Sequence, residues 1–415
     1  MRLLHISDLH LGKVVHGVSM LENDDQPCWV RRFLALAEEL QPDAVLISGD
    51  VYDRSSPAGE AVSLFGSLLE ALADLGIQVM VIPGNHDSGR RLAFARSLLS
   101  KQKVHIADLP GRSLTRVTLT DEFGPVDFWL MPYVFPAVVS QALEDETIRD
   151  YDTAVRRLLA AQPIDFSRRN VLLAHQNVTA RGCEAPRGGS ESMVGGVGQV
   201  DWTAFDGFEY VALGHIHAAY PVGRETVRYA GSPLCYHFNE TRQPRKGPVM
   251  AELSAKGQPV RLQVLSIPPL HPMRELRGSF AELRAGELAE SRQGEYLRLV
   301  LTDRPLSPEI SDFFQTLAEG RGSILMDRCS EYHRSGGELS VPDGASLREK
   351  PVEALFADFF ADRTGGESPD PAELALLAAA GEFVRNRTPE AGKKPGPDDP
   401  EAEALVRLLL KEVGE

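Results

Sequence analysis

Short apolar runs alternate with longer helical patterns along the first 270 residues of the chain. WVRRFLALAEEL and GEAVSLFGSLLEALADLG place apolar residues at helical spacing. The runs around them have the length and β-branched composition of buried strands. In chain order, these runs are RLLHIS, DAVLISGD, VMVIPGNHD, NVLLAH and YVALGHIH. Strands that alternate with helices in this way predict an α/β fold.

Further β-rich runs are joined by links of turn length and predict a second, mostly antiparallel sheet. These runs are VDFWLMPYV, TVRYAGSP, PVMAEL and VRLQVLSI. The Gly-rich stretch Thr179–Gln199 separates two of the apolar runs. Long loops within compact domains are typically functional or mobile.

A Pro-rich break at Ser266–Pro272 predicts a domain boundary near residue 270. Beyond it, the order strand, helix, strand, helix, strand fits a small α/β module over residues 271–345. The remaining residues, 346–415, have a helical pattern. We therefore expect three parts, with the first spanning residues 1–270.

The C-terminal part contains one clearly amphipathic helix pattern. A proline suited to a first helical turn precedes apolar residues at positions i, i+3, i+4, i+7 and i+8. These residues are Val352, Leu355, Phe356, Phe359 and Phe360. Such a stripe must be buried against something, and we expect a partner protein to cover it.

Composition indicates a globular protein, with 43% hydrophobic and 25% charged residues. The opening MRLLHISDLH reaches an acid and two histidines too early for a signal peptide. No run is long enough to span a bilayer, so we expect a cytoplasmic protein with no membrane association. The four cysteines form no CxxC pair, so neither disulfides nor a structural zinc site are expected.

The net charge of −15 argues against a protein that coats nucleic acid through bulk electrostatics. The acidic residues are unevenly distributed, with 14 acids against 7 bases between residues 352 and 415. The net charge therefore argues against nucleic-acid binding by the C-terminal tail more than by the rest of the chain.

Each of the five strand-like runs named first ends in side chains that can bind a metal ion. Asp8 and His10 are two residues apart, as are His215 and His217, and such residues share a face on a strand. Groups at the carboxyl ends of neighbouring strands converge on one crevice. The candidate ligands are Asp8, His10, Asp50, Asn85, His175, His215 and His217.

Carboxylate, imidazole and amide ligands without a thiolate suit manganese or iron better than a closed zinc site. Seven ligands are too many for one ion and fit two ions that share a bridging carboxylate. Two-metal sites hold their ions about 3.5–4 Å apart and act on phosphoryl groups. The five motifs together indicate such a site far more strongly than any one of them.

The series D-x-H, GD, GNHD, H and GHxH resembles the calcineurin-like metallophosphoesterase superfamily. That resemblance implies two mixed β-sheets sandwiched between helices. The longer runs LHISDLHLGK, LISGDVYDRSSP, VIPGNHDS and YVALGHIHAAYPVG are similar to bacterial DNA-repair nucleases of the superfamily. Motif-level similarity covers residues 1–270. Beyond them the chain is similar in layout, with a small α/β capping domain and a helical C-terminal tail.

The resemblance also implies a role for each residue of the motifs. One metal ion goes to Asp8, His10 and His217, and the other to Asn85, His175 and His215, with Asp50 bridging. His86 contacts the scissile phosphate and stabilises or protonates the leaving oxygen, and Asp87 orients the His86 imidazole. The implied cofactors are two manganese ions, with iron or magnesium as substitutes.

The implied activity is two-metal hydrolysis of DNA together with an ATPase partner. It comprises 3′-to-5′ exonuclease action on double-stranded DNA and endonuclease action on single strands and hairpins. A homodimer of nuclease subunits is a further expectation from the superfamily.

Two alternatives stay open. A stand-alone metallophosphoesterase acting on nucleotides or phosphoproteins would use the same motifs. This alternative gives no function to the residues after Pro272. A non-catalytic scaffold on the same fold is disfavoured because every expected ligand is present.

The remaining histidines and the residues after the GD motif are given lesser roles. Residues 51–54 are expected to influence substrate contacts but not metal binding. His237, in GSPLCYHFNE, is a candidate supporting residue, although structural packing is the favoured reading. Structural roles are expected for His5, His16, His105, His271 and His333.

Overall fold

The computed structural model describes residues 1–107, 111–180, 198–242, 246–286 and 293–332, together with a few positions between 354 and 374. The chain divides into two compact units, Met1–Glu331 and Tyr332–Glu415. The strands and helices given below all belong to the first unit.

A few residues of the second unit are described. Phe356 and Phe360 are helical, and the centroids of their rings lie 5.8 Å apart. This spacing fits two neighbours at i and i+4 on one helix face. The other three members of the predicted apolar stripe lie outside the described residues.

Nineteen strands lie in the described part of the chain. They are β1 (Arg2–Ile6), β2 (Val14–Val15), β3 (Val18–Ser19), β4 (Ala44–Ser48), β5 (Gln78–Ile82), β6 (Val104–Ile106), β7 (Thr115–Asp121), β8 (Gly124–Met131), β9 (Arg169–His175), β10 (Asn177–Thr179), β11 (Gln199–Asp201), β12 (Tyr210–Gly214), β13 (Pro221–Val222), β14 (Arg224–Tyr229), β15 (Val249–Glu252), β16 (Arg261–Val264), β17 (Met273–Gly278), β18 (Tyr296–Leu301) and β19 (Ile324–Ser330).

Eight α-helices accompany these strands within the same described ranges. They are α1 (Asp25–Leu40), α2 (Gly59–Asp74), α3 (Gly89–Leu92), α4 (Arg96–Leu99), α5 (Pro136–Leu143), α6 (Tyr151–Ala160), α7 (Phe280–Ala285) and α8 (Pro308–Glu319). Short 3-10 turns occur at Ser100–Gln102, Trp202–Phe205 and Phe238–Arg242. Among the described residues, no helix has both the length and the apolar character needed to cross a membrane.

Two six-stranded mixed sheets form the centre of the first unit. The first has the order β16-β15-β1-β4-β5-β6, in which β1, β4, β5 and β6 are parallel and β15 and β16 pair antiparallel. The second has the order β13-β14-β12-β9-β8-β7, with antiparallel pairs at its two edges. The predicted α/β class, with two mixed β-sheets sandwiched between helices, is confirmed.

The expectation of a second, mostly antiparallel sheet is wrong. β8 and β14 pair in parallel with β9 and β12. β15 and β16 join the edge of the first sheet instead, where β15 pairs with β1. Strands that are buried on both faces read alike as apolar runs, so the pattern predicts a strand without indicating its partner.

Three apolar layers hold the sheets and helices together. The layer between the sheets contains Ala44 and Leu46 from the first sheet and Phe128 from the second. Val45 and Ile47 face the opposite way, toward the layer shared with α1 and α2. A third layer packs the second sheet against α5 and α6. Both faces of β4 are therefore buried, which explains its continuous apolar sequence.

A third, smaller sheet follows in the chain. β17, β18 and β19 form a parallel sheet with α7 and α8, in the predicted order strand, helix, strand, helix, strand. Its own apolar cluster includes Leu299 and Phe314. α7 begins at a capping box, in which Ser279 and Glu282 each accept a hydrogen bond from the other's main-chain N–H.

A buried polar cluster links this small sheet to the start of α1. The Asp25 carboxylate is fully buried and accepts a hydrogen bond from the Tyr296 hydroxyl at 2.5 Å. Nδ1 of His271 lies 3.0 Å from the same carboxylate, and Asn23 donates to the Tyr296 hydroxyl at 2.8 Å. Burial raises the pKa of Asp25, although its contacts with Tyr296 and His271 partly oppose this shift. His271 is thus part of a structural contact between the small third sheet and the start of α1.

We expect Tyr296→Phe to lower the free energy of unfolding by about 1–3 kcal/mol, because the buried Asp25 carboxylate loses a hydrogen-bond donor. Urea unfolding measures the difference. Tyr151→Phe is a matched control, since the hydroxyls of Tyr151 and Tyr133 lie 3.5 Å apart and form at best a weak hydrogen bond. Equal losses in the two variants would contradict the importance of the cluster.

Candidate metal centre

The sequence-predicted side chains lie at the carboxyl ends of strands, but these strands belong to two sheets. β1, β4 and β5 of the first sheet lead into the first three motifs, and β9 and β12 of the second sheet lead into the last two. The first sheet supplies Asp8, His10, Asp50, Asn85, His86 and Asp87, and the second supplies His175, His215 and His217. The crevice therefore forms where two sheets meet, not along the edge of one sheet as the pattern suggested.

Two glycines allow the ends of the two sheets to come into contact. Nδ1 of His175 donates to the Ser48 carbonyl at 2.8 Å, a hydrogen bond that crosses from one sheet to the other. A Cβ at Gly214 would lie 1.8 Å from that carbonyl oxygen, and a Cβ at Gly49 would lie 2.2 Å from Nδ1 of His175. Neither position can therefore hold a side chain without moving the sheets apart. These contacts explain the glycines of the GD and GH motifs.

The loops that follow β1 and β4 remain hydrogen-bonded to each other beyond the strands. The N–H of Asp8 donates to the Gly49 carbonyl at 3.0 Å, and the N–H of His10 donates to the Asp50 carbonyl at 2.9 Å. These bonds fix three candidate ligands relative to one another.

Four candidate ligands have a backbone conformation that non-glycine residues rarely adopt. The φ angles are 54° at Asp8, 43° at His10, 48° at Asp50 and 104° at His215. Such conformations cost about 1–3 kcal/mol each and persist where the surrounding structure enforces them, often at functional sites. These residues lie in loops past the strand ends. The shared-face argument from strand geometry is therefore wrong, and the loops orient the paired residues.

Asp8, His10 and His217 form one buried group. One donor atom from each lies within 4.8 Å of the others. The Nε2 atoms of His10 and His217 are 3.1 Å apart. The main-chain N–H of His215 donates to both carboxylate oxygens of Asp8, at 2.9 and 3.2 Å, which ties the second sheet to this group.

Asn85, His175 and His215 form a second group. The amide oxygen of Asn85 lies 3.1 Å from Nε2 of His175 and 3.0 Å from Nδ1 of His215. His175 is fully buried, whereas Asn85 is exposed and His215 is partly exposed. This group therefore faces solvent on one side, where a ligand can approach.

Asp50 lies between the two groups. Its Oδ2 atom is 3.6 Å from Nε2 of His10 and 3.3 Å from Nε2 of His175. Its Oδ1 atom accepts a hydrogen bond from the main-chain N–H of His86 at 2.9 Å. A Cβ at Gly84 would lie 2.1 Å from this oxygen, which accounts for the glycine of the GNHD motif.

Asp50 and the histidines of the second group shift one another's pKa values. Burial would raise the pKa of Asp50, but the charge of His175 and a hydrogen bond to it hold that pKa well below its usual value. Burial would likewise lower the pKa of His175, but Asp50 raises it to about 9. Burial and the charge of His175 lower the pKa of His215 to about 3. The cluster therefore stabilises a positive charge next to Asp50.

His86 lies beside the cluster and is partly exposed. Its Nδ1 atom is 2.9 Å from the main-chain carbonyl of Asp53, which can only accept a hydrogen bond, so Nδ1 carries the proton. The ring stands edge-on to that of His10, with centroids 4.8 Å apart. One ring nitrogen of His86 lies within 4.8 Å of ligand atoms of His10 and Asp50, so His86 borders the candidate ligands.

The structure corrects the orienting role predicted for Asp87. Its carboxylate accepts hydrogen bonds from the main-chain N–H groups of Val51, Tyr52 and Gly84, at 3.1, 3.0 and 2.9 Å. Asp87 therefore braces the loops that follow β4 and β5, while the Asp53 carbonyl orients the His86 ring. Burial and the charge of Asp50 raise the pKa of Asp87 to about 6.

Residues outside the predicted ligand set hold His10 in place. Oδ1 of Asp53 is 3.5 Å from Nδ1 of His10 and 2.7 Å from Nζ of Lys13. The side chain of Gln26 donates to the His10 carbonyl at 2.8 Å and accepts from the N–H of Gly12 at 2.9 Å. Asp53 is one of residues 51–54, for which we expect an influence on substrate contacts, and its carboxylate also lies beside the candidate ligand His10. Gln26 could have been noticed in the sequence as a polar residue within the apolar face of α1.

A buried carboxylate supports His217 from behind. Oε1 of Glu240 lies 3.1 Å from Nδ1 of His217, and Lys246 donates to Oε2 of Glu240 at 2.5 Å. His237, singled out from the same sequence segment, accepts a hydrogen bond from the N–H of Asn239 within its own turn. The segment was the right one, but the residue that reaches the site lies three positions further on.

Two other features of the sequence lie outside the centre. His5 is buried between the sheets, with Nδ1 2.9 Å from the Tyr210 hydroxyl, and burial lowers its pKa to about 3. This is the structural role expected for it. Of the Gly-rich stretch Thr179–Gln199, residues 181–197 lie outside the described residues.

Comparison with known families assigns a class to this fold and site. Residues 1–219 of the 415 match the model of the calcineurin-like phosphoesterase family. The chain belongs to this family, and it is a metal-dependent phosphodiester hydrolase. Residues 269–364 match a second model, described as the type 5 capsule protein repressor C-terminal domain.

Two similar curated proteins are nuclease subunits. The chain is 29% identical over 304 residues to SbcD of the SbcCD nuclease from Staphylococcus saprophyticus, which covers 72% of this chain and 78% of that protein. It is also 29% identical over 309 residues to SbcD from Staphylococcus epidermidis, covering 73% and 79% of the two chains. The resemblance predicted from the motifs is confirmed.

One solved structure with a similar fold is a dimetal phosphatase from Danio rerio. The TM-score is 0.38 with 11% sequence identity, and the match covers 64% of this chain and 99% of that one. A likeness at this level adds nothing to the family assignment.

We expect Gly84→Ala to weaken binding of divalent metal ions, because the new Cβ must displace the Asp50 carboxylate. Overpacking of this kind costs about 1–3 kcal/mol of stability. Gly66→Ala on α2 is the matched control, since its Cβ would meet nothing within 4 Å. Isothermal titration with Mn²⁺ compares the two variants, and equal affinities would contradict the close packing inferred at Asp50.

Proposed function

We propose that this chain is a manganese-dependent DNA nuclease that acts with the ATPase SbcC in DNA end processing and repair. Its reaction is two-metal hydrolysis of phosphodiester bonds, as a 3′-to-5′ exonuclease on double-stranded DNA and an endonuclease on single-stranded and hairpin DNA. The observation that carries this proposal is the convergence of seven nitrogen and oxygen ligands on one crevice, in a chain similar to nuclease subunits.

We assign one metal ion to Asp8, His10 and His217, and the other to Asn85, His175 and His215. Asp50, which lies within 3.6 Å of a histidine from each group, is the bridging ligand. A set of carboxylate, imidazole and amide donors suits manganese, with iron or magnesium as substitutes.

The surroundings of His175 fit a bound cation. Because Nδ1 donates to the Ser48 carbonyl, the neutral ring presents the lone pair of Nε2. That lone pair faces Asn85 Oδ1 at 3.1 Å and Asp50 Oδ2 at 3.3 Å. Acceptors that face one another in a buried site require a positive charge between them. The raised pKa of His175 expresses the same requirement.

Bound divalent ions would polarise the scissile phosphate and lower the pKa of a water molecule. The chain itself holds the ligands through the cross-sheet contact, and it holds His86 at the side of the cluster. With Nδ1–H directed to the Asp53 carbonyl, the imidazole can contact the phosphate through Nε2 and, when protonated, donate to the leaving oxygen.

The names of the relatives and the composition of the C-terminal tail support a partner protein. Both curated relatives carry names that place them in the SbcCD nuclease. An acidic tail with an amphipathic helix pattern suits a basic groove on a protein better than it suits DNA. We therefore propose that the tail binds SbcC, that two nuclease subunits pair within a heterotetramer, and that the complex acts on DNA in the cytoplasm.

A nuclease assay on end-labelled duplex and hairpin DNA tests this function. We expect Mn²⁺-dependent cleavage of hairpins and single strands, and duplex degradation from 3′ ends that requires both SbcC and ATP. Hydrolysis of small phosphodiesters such as bis(p-nitrophenyl) phosphate, with no DNA cleavage in the presence of SbcC, would favour a stand-alone phosphoesterase instead.

We expect Asp50→Ala to abolish nuclease activity and to lower the occupancy of both metal positions, because this carboxylate is the proposed bridge. Metal analysis of purified protein at saturating manganese measures occupancy. Asp127→Ala removes another buried aspartate at the far end of the second sheet and should retain both ions. A wild-type protein that binds one ion at saturating manganese would contradict the two-metal assignment.

We expect His86→Gln to keep both metal ions and to lose about 10²–10⁴-fold in the rate of DNA cleavage, a typical loss for a removed acid–base group. His105→Gln, in β6, controls for the loss of a histidine elsewhere. Loss of metal in parallel with activity would show that His86 is a ligand.

Deletion of Pro351–Glu415 should leave a soluble protein with metal-dependent activity on single-stranded DNA. The same deletion should abolish co-purification with SbcC and ATP-stimulated action on duplex ends, because it removes the proposed docking helix. A truncated protein that still bound SbcC, or one that did not fold, would show that the stripe packs on its own chain.

A further inference from the structure

We propose that Glu240 and Lys246 are a positioning pair for His217 and that they set the affinity of one metal position without affecting the other. The proposal rests on the metal assignment made above. It concerns residues outside the motifs, in the segment between β14 and β15.

Glu240 fixes which nitrogen of His217 carries a proton. Its side chain is fully buried, and Oε1 lies 3.1 Å from Nδ1 of His217. A carboxylate accepts hydrogen bonds, so it holds the proton on Nδ1. Nε2 of His217 is then the nitrogen left for a metal ion, and it is the atom that faces Nε2 of His10 at 3.1 Å.

Lys246 also contacts the main chain of His217. Nζ donates to Oε2 of Glu240 at 2.5 Å and to the main-chain carbonyl of His217 at 3.0 Å. It also donates to the Ser232 hydroxyl at 2.5 Å, and the N–H of Ser232 donates to the same His217 carbonyl at 3.1 Å. One ammonium group therefore fixes both the main chain of His217 and the carboxylate behind its ring.

The segment around Ser232 packs tightly against His217. Gly231 has a φ of +75°, and a Cβ there would lie 2.6 Å from the His217 carbonyl oxygen. The carbonyl is thus enclosed by Gly231, Ser232 and Lys246. These contacts restrain the main chain of His217, so its imidazole ring can move mainly by rotation about the side-chain bonds. The hydrogen bond to Glu240 restrains that rotation.

Stability alone is a weak reason for such a pair. A buried ion pair costs desolvation energy that its Coulomb attraction often does not recover, and apolar replacements of both partners are frequently neutral or stabilising. The location of this pair behind a candidate ligand suggests a role in metal binding instead. Carboxylates that accept the second N–H of a ligating histidine orient the ring and raise its basicity.

The two metal positions differ in this support. His217 is backed by the carboxylate of Glu240, whereas His175, in the other group, is backed by the neutral carbonyl of Ser48 at 2.8 Å. Loss of such a partner typically costs about 10–100-fold in metal affinity. Removal of the Glu240 charge should therefore weaken the position of Asp8, His10 and His217 and leave the position of His175 unchanged.

The test is Mn²⁺ titration of the full chain by calorimetry, with free Mn²⁺ followed by electron paramagnetic resonance. Glu240→Gln removes the charge, and Glu240→Gln combined with Lys246→Met does so without leaving the buried ammonium without a carboxylate partner. The matched control is Asp127→Asn combined with Arg168→Met, which removes an ion pair of 3.1 Å at the far end of the second sheet. We expect one of two dissociation constants to rise about 10–100-fold in both Glu240 variants, and neither to change in the control.

A second readout reports on His217 directly. Long-range nitrogen–proton NMR of the metal-free protein should show the His217 proton on Nδ1 in the wild type and distributed between both nitrogens in the double variant. Unchanged NMR signals, unchanged dissociation constants, or equal weakening at both positions would overturn the inference. A wild type that binds no Mn²⁺ would count against the proposed function instead.

Discussion

The contact between the ends of the two sheets is the constraint on which the rest of the site depends. His175 Nδ1 donates to Ser48 across the sheets at 2.8 Å, and this approach is open only because positions 49 and 214 are glycines. Without it, the candidate ligands that follow β1, β4 and β5 and those that follow β9 and β12 would lie on separate surfaces. The contact has an energetic cost, since four candidate ligands adopt positive φ angles in the loops that it brings together. Main-chain hydrogen bonds between these loops, and the buried layer between the sheets, offset that cost.

The supports behind the ligands connect the site to distant parts of the first unit. Gln26 holds the His10 loop, and its neighbour Asp25 contacts Tyr296 of the small third sheet and His271, which lies just before β17. The first turn of α1 thus contacts the site on one side and the third sheet on the other. Glu240 and Lys246 support His217 from a different segment. The candidate ligands are therefore fixed by several independent elements, as preorganised binding of a cation would require.

Much of the site was predictable because each motif consists of a few consecutive residues. A polar residue directly after an apolar strand can be read locally, and the nine predicted side chains all lie at one crevice. The partners of the strands could not be read in this way, since β15 and β14 have similar patterns but join different sheets. The supports were missed for the same reason. Glu240 and Lys246 are separated from His217 by more than twenty residues, and Asp87 lies next to His86 in sequence while its carboxylate turns to the amides of Val51, Tyr52 and Gly84.

Anomalous diffraction from crystals grown with Mn²⁺ tests the two-metal account most directly. The account predicts two manganese peaks about 3.5–4 Å apart, with Asp50 bound to both. One peak should also contact Asp8, His10 and His217, and the other Asn85, His175 and His215. A single peak, or two peaks that do not share Asp50, would contradict it.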